Sequence, residues 1–422
     1  MNERNLETTL SPSAPPSGPT PALKRSLSLL QATLYGLGVT IGAGIYVLVG
    51  AAAARSGMYA PLAFVVAAAL MTFSAASFAE LAGRLPVAAG EAAYVRAAFR
   101  SDRLAVAVGL LVVGVSIVSA SAISVGAAGY VGVFLALPEL VLVTGVVVAM
   151  GAIAAWGIEE SVSFAGAMTL IEIGGLVMLV LAGLAVEPAV VTRLPEALPP
   201  LQDRAALTGV AGTTLLAVFA FIGFEGLANI AEEVRDPGRT LPRAIFLTLA
   251  ISAGLYVLVV WIALVSVPHG ELAQSKAPLA LVFERLTGAS PLTMAAIAIV
   301  ATLNGIIVQI IMAARVLYGL ARQGNLPAFL GRVSRATRTP LNATLLTSAI
   351  VLALALLLPL GHLADLTARL TLVVFALVNL SLALIKARDR RAHQGFVAPW
   401  WVPWAGLASC LFLLMLDVVL VV

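Results

Sequence analysis

The chain has one cysteine (Cys410) and three histidines in 422 residues, and only 11% of its residues are charged. A single thiol excludes an intramolecular disulfide and a cysteine-based zinc site. His269, His362 and His393 stand far apart along the chain, so no metal centre is expected, and no cofactor-binding motif is present. Soluble chains carry about 25% charged residues. Less than half that share, with 61% hydrophobic residues, defines an integral membrane protein whose first partner is the lipid bilayer. The net charge of +4 reflects where positive residues fall in the loops and implies no nucleic-acid partner. No cleavable signal is visible. Residues 1–26, polar and rich in Ser, Pro and Thr from Met1 to Pro21, read as a disordered cytoplasmic tail.

Apolar runs of about 20 residues recur along the chain, each sufficient for a ~30 Å hydrocarbon core. Eleven spans are expected, at about 27–53, 60–82, 104–136, 139–156, 162–186, 207–231, 243–267, 291–314, 341–360, 365–386 and 401–421. With the amino terminus in the cytoplasm, most basic residues fall inside, among them Lys24, Arg25, Arg96, Arg315, Arg335, Lys386, Arg390 and Arg391. Outside fall only Arg55, Arg193, Arg204, Lys276, Arg285 and Arg369. This is the positive-inside bias of a cytoplasmic (inner) membrane protein, and an odd span count puts the carboxyl terminus outside. Residues 83–103 form a cytoplasmic loop with an amphipathic stretch at Tyr94 to Phe99. Residues 187–206 form an extended external loop, and residues 321–340 a basic crossover.

Two spans carry breaks. Gly36, Gly38, Gly42 and Gly44 fall within nine residues of the first, each costing a helix roughly 1 kcal/mol relative to alanine. Phe221-Ile222-Gly223-Phe224-Glu225 interrupts the sixth. Irregular backbone at membrane depth is tolerated where it lines a cavity. The same glycines also fit close helix packing, since Gly38-Val39-Thr40-Ile41-Gly42 matches GxxxG. The first spans of residues 27–186 and 207–386 are both broken and start on opposite sides, which suggests two inverted five-span repeats. One further helix follows at residues 401–422.

Ile41-Gly42-Ala43-Gly44-Ile45-Tyr46 resembles the first-helix motif of the amino acid–polyamine–organocation transporters. Ala79-Glu80-Leu81 through Leu85-Pro86-Val87-Ala88-Ala89-Gly90-Glu91-Ala92-Ala93-Tyr94 is similar to their loop after the second helix. Phe221-Ile222-Gly223-Phe224-Glu225, with Ala231 to Pro237 and Leu241 to Ile245, resembles their sixth-helix signature. Ala314 to Gly324 resembles the end of their eighth helix. The resemblance, which covers residues 27 to 386, implies an all-α polytopic protein of LeuT-type 5+5 inverted-repeat fold with discontinuous helices 1 and 6. It also implies secondary active transport of amino acids or related amines by alternating access, as proton-coupled symport or as exchange. Members commonly have twelve spans, and this chain ends after an eleventh.

A half-helix N-terminus carries about +0.5 charge and unpaired N–H groups, which suit a carboxylate. Ile41, Gly42, Ala43, Gly44 and Ile45 are therefore the expected cradle for a substrate carboxylate. Carbonyls freed around Phe221, Ile222, Gly223, Phe224 and Glu225 are expected to take the ammonium. Phe221 and Phe224 serve either as gates or as packing. Sodium-coupled relatives place hydroxyls on the eighth helix, where this chain has Ala313 and Ala314, so sodium coupling is disfavoured. Some proton-coupled relatives place a lysine near the position of Glu172, a charge reversal here. Glu172 lies about 16 Å along its helix from Ser161, near mid-membrane, where an acid is costly and functional. It is either the proton-coupling group, a counter-ion for a cationic substrate, or a structural partner of a neighbouring helix, with Asn304 and Gln309 available as polar partners. The alternatives to a transporter are a membrane enzyme, for which no polar catalytic cluster is present, and a channel or sensor.

Overall fold

The computed structural model describes residues 27–42, 44–86, 90–157, 162–187, 189–334, 336–388 and 395–421. Ala43, the basic residues Lys24, Arg25, Arg335, Arg390 and Arg391, Ser161, and the motif residues Val87, Ala88 and Ala89 lie outside them. All regular secondary structure among the described residues is helical, apart from an isolated parallel bridge between Leu27 and Val234. Helix α1 (Leu29–Ile41) starts at a capping box, with Ser28 Oγ accepting from the Gln31 N–H and Gln31 Oε1 accepting from the Ser28 N–H. Helix α2 (Ile45–Ser56) resumes after the first break, turns through Gly57–Tyr59 and leads into α3 (Ala60–Arg84).

Helix α4 (Gly90–Phe99) is the amphipathic segment expected in the first loop, one turn longer than its sequence suggested. Next come α5 (Asp102–Val131), α6 (Glu139–Trp156) and α7 (Val162–Val186). The expected extended loop after α7 is partly helical, with α8 (Ala189–Thr192) and a 3-10 turn at Leu194–Ala197 started by Pro195. Helix α9 (Arg204–Phe221) then gives way to a 3-10 helix at Phe224–Ile230. It is followed by α10 (Pro237–Ser266), two short helices α11 (His269–Gln274) and α12 (Pro278–Thr287), and α13 (Leu292–Arg322). The chain closes with α14 (Leu341–Leu357), α15 (Leu360–Arg388) and α16 (Val402–Val421).

Eight stretches among the described residues are long and apolar enough to cross a membrane, and three shorter apolar helices accompany them. The protein is multi-pass. α10 starts six residues before the expected 243, because Pro237 occupies its first turn, where a missing N–H is harmless, and Pro242 is accommodated inside it. α13 runs eight residues past the expected 314. At 1.5 Å per residue its 31 residues exceed the bilayer core, as do the 30 residues of α5, which packs along it. α3 packs on α10, and α6 on α14. Small residues allow close approaches elsewhere in the bundle. A Cβ on Gly126 of α5 would stand 2.2 Å from Val47 Cγ1, and one on Gly129 2.1 Å from the Lys276 carbonyl oxygen.

Candidate functional site

The two interruptions meet. α1 ends at Ile41, Gly42 forms a turn, and Gly44 caps α2, which begins at Ile45. The first described hydrogen bonds of α2 run from Val47 and Leu48 to the Gly44 carbonyl (3.2 and 3.1 Å), so its first N–H groups project from the end of the helix. In the second break, Ile222 is extended and Gly223 adopts φ +135, a conformation that favours glycine. A Cβ on Gly44 would lie 2.4 Å from Ala220 Cα, and one on Gly223 would lie 2.7 Å from Thr40 Cα. Each glycine thus sits on the backbone of the other broken helix. Interruption and close packing, alternatives in the sequence, are here one arrangement.

The ends of the broken helices are tied to their neighbours. Tyr256 Oη of α10 donates to the Thr40 carbonyl (2.8 Å), one of the carbonyls that α1 leaves open. Tyr46 Oη donates to the backbone carbonyl of Glu172 (2.7 Å). Ile41, Ile45, Phe221 and Phe224 are fully buried. Phe221 stacks with Tyr256 at 5.3 Å, and Phe224 with Phe375 at 5.5 Å and Phe78 at 5.9 Å. Both rings act as packing in this conformation.

Glu172 lies ten residues into the 25-residue α7 and is completely buried. Asn304 Nδ2 of α13 donates to its Oε1 (3.2 Å), and its Oε2 is 3.2 Å from where a Cβ on Gly42 would stand. The acid therefore touches the first break directly and has Asn304 as its partner. Gln309 lies elsewhere, on the wall of a cavity at the second break.

That cavity, of about 30 Å³, is lined by Ile222, Gly223 and Glu225 and by groups from α4, α5, α13 and α15. Glu225 turns back on its own break, its Oε2 accepting from the Gly223 N–H (2.8 Å). A larger vestibule of about 690 Å³ adjoins the cavity, and Glu91, Val112 and Met312 line both. The vestibule runs between the first turns of α5 and the last turns of α13, past Arg96, Arg315 and Gln323. Arg96 is engaged by Asp102 (2.8 Å). At the other end of the broken helices, Arg55 closes α2 onto α15 by a two-pronged pair with Asp365 (2.8 and 2.7 Å), and also donates to the Gly212 carbonyl of α9. The site is open at one end and latched at the other.

Sequence reasoning gave no role to Glu91, Ser116, Thr371 or the Arg55–Asp365 pair. Glu91 is the one acid of α4, flanked by small apolar residues on a helix whose buried face includes Tyr94 and Val95, and its signals in the sequence were that placement and its membership of the quoted loop motif. Burial pushes its carboxyl up to about 7. Glu80 was part of a quoted motif. It is fully buried and holds Arg84 (2.6 Å), Lys386 (2.7 Å) and the Ala398 N–H (2.9 Å), a structural junction of α3 with α15 and the segment before α16.

Two broken helices crossing at a buried cavity inside a multi-pass bundle define a membrane protein built to admit a small solute to its middle. The amino acid permease family model matches residues 27–422, and the chain belongs to that family of transporters. It is 29% identical to the branched-chain amino acid permease BcaP of Bacillus subtilis, over 93% of this chain and 88% of that protein. It is 28% identical to the vacuolar cationic amino acid transporter 4 of Arabidopsis thaliana, over 86% of this chain and 64% of that protein. With the methylthioribose transporter of Bacillus subtilis it shares 23% identity, over 93% and 88% of the two chains.

Proposed function

We propose that this protein is a secondary active transporter that moves amino acids or related amines across the cytoplasmic membrane by alternating access between the two breaks. The observation that carries this reading is the interlock of Gly44 with Ala220 and of Gly223 with Thr40, beside a cavity that joins a vestibule at one end of the broken helices. By the positive-inside bias, the open vestibule faces the cytoplasm and the Arg55–Asp365 latch faces outward. The first N–H groups of α2 at Ile45, with Ile41, Gly42, Ala43 and Gly44 before them, receive the substrate carboxylate. Backbone carbonyls at Phe221 to Glu225 receive the α-ammonium.

The broken first span, α3, α5, α6 and α7 pair in order with the broken sixth span, α10, α13, α14 and α15. Surface helices lie between the second and third spans of each set, α4 in one and α11 and α12 in the other. This correspondence, and the packing of α3 on α10, α5 on α13 and α6 on α14, supports an inverted 5+5 repeat with α16 as an eleventh span. The names of the relatives support amino acids as the substrate class.

The test is uptake and counterflow in proteoliposomes with a panel of labelled amino acids and amines, with and without a pH gradient. Saturable counterflow of at least one substrate supports the reading, and unsaturable flux or no flux overturns it. Ala313 and Ala314 bring no side-chain oxygen to α13, so uptake should be unchanged when sodium is replaced by choline at fixed pH. A saturable sodium requirement would refute that expectation.

A further inference from the structure

We propose that the 30 Å³ cavity at the second break is a subsite for the terminal ammonium group of a substrate that carries a second positive charge, and that Glu91 selects for it. This rests on the transport reading above. Two carboxyls from different elements, Glu91 of α4 and Glu225 of the 3-10 helix, line the cavity, and no lysine, arginine or histidine does. Glu91 and Glu225 are 8% and 9% exposed. No described cation forms an ion pair with either of them. Two buried acids with no compensating cation are unfavourable, and a bound cation relieves both at once.

A second, independent feature points to a ligand. Thr371 of α15 is 2% exposed, lines this cavity, and its hydroxyl has no hydrogen-bond partner. A buried hydroxyl without a partner costs about 1–3 kcal/mol. An ammonium has three donors and no acceptor, so it suits two carboxylates and a hydroxyl oxygen together. Size narrows the ligand further. A water-sized group needs roughly 10–15 Å³ of such space, so 30 Å³ has room for an ammonium tip and is small for a branched aliphatic side chain.

Charged and titratable groups surround Glu91 on every element packed against it. On its own helix these are Tyr94, which burial pushes up and keeps neutral, and Arg96, held by Asp102 of α5. Glu225 faces it from the 3-10 helix. Glu233 and Arg315 of α13 line only the vestibule. From α15, Lys386 is taken by Glu80, and Arg388 donates to the Ala98 carbonyl. Because burial raises the Glu91 carboxyl to about 7, the subsite holds its charge above that pH and loses it as pH falls through it.

The test uses the full-length protein in proteoliposomes, with L-lysine, cadaverine and L-leucine as probes for exchange. The wild type should exchange lysine, with the lysine-to-leucine ratio falling severalfold as pH is lowered from 8 to 6. Glu91→Gln should cut that ratio at least tenfold at pH 8 and make it independent of pH, while Glu91→Asp should restore part of it. Thermal shift on adding lysine gives a second readout, which Glu91→Gln should abolish even where exchange is slow. Leucine exchange without lysine exchange in the wild type would overturn the subsite and leave the transport reading intact. A lysine-to-leucine ratio unchanged by Glu91→Gln would do the same. No exchange of any probe, in a protein that is monodisperse and inserted, would overturn the transport reading itself.

Discussion

Glu172 reaches the first break because α7 stays regular to its middle and presents that side chain to Gly42, with Asn304 donating from α13. Glutamine at this position keeps an Oε1 acceptor for Asn304 but cannot titrate. If Glu172 carries the coupled proton, Glu172→Gln should lose pH-gradient-driven accumulation and keep substrate exchange. Selective loss of cationic substrates would make the residue a counter-ion, and unchanged accumulation would remove it from the mechanism. Glu91 makes a separate prediction about stability. Its carboxyl sits at about 7 when folded, against an ordinary value of 4.5, so the folded state holds a proton that the unfolded state has released. Stability therefore falls as pH rises from about 4.5 to 7. Glu91→Gln should raise thermal stability in detergent at pH 8, by on the order of 3 kcal/mol if the full shift is realised, and should change little at pH 4.5. Equal gains at both pH values would show that burial of the ionised carboxylate is not the cause. The two acids were unequally legible: Glu172 stood out as a lone charge in an apolar run, whereas Glu91 lay in a loop whose packing no pattern revealed.

At the level of elements, the two broken spans depend on each other. Gly223 needs its positive φ and has Thr40 backbone where a Cβ would stand. Gly223→Ala should therefore cost at least about 2 kcal/mol, read as a fall in melting temperature. Gly174→Ala is the control. Nothing lies within 4 Å of a Cβ there, and alanine gains about 1 kcal/mol of helix propensity, so its melting temperature should hold or rise. A Gly223→Ala protein as stable as the control would mean the breaks are not locked together. Gly44 is equally confined, so a bulky replacement there would disturb α9 as well as any carboxylate site. Comparing lysine with cadaverine, which has no carboxylate, probes that site without touching the backbone. The glycine cluster announced the first break in sequence, but its contact with Ala220 spans 176 positions and could not be read there.

For the whole molecule, the latch and the vestibule lie at opposite ends of the same two helices. Arg55 joins α2, α9 and α15 through Asp365 and the Gly212 carbonyl, with 28% and 14% of the two side chains exposed. Asp365→Asn removes one charge of the pair and should favour opening at that end. With native Cys410 buried, a single reporter at Thr213→Cys, itself buried beside the latch, can be read by thiol labelling at that end. Labelling should rise severalfold in the Asp365→Asn background. An unchanged rate would show that the pair does not hold that end closed.

The sequence by itself determined that the chain is multi-pass, where most of its helices lie, and that two of them break. Hydrophobic run length, glycine clusters and prolines are local quantities, set by the bilayer and by the backbone. Tertiary structure alone decided which break faces which, that Glu172 abuts Gly42 and that Glu91, Glu225 and Thr371 share one cavity. It also decided that Arg55 finds Asp365 310 positions away. Those pairings arise because side chains at the same membrane depth come from helices far apart in sequence, brought together by packing that no local pattern encodes.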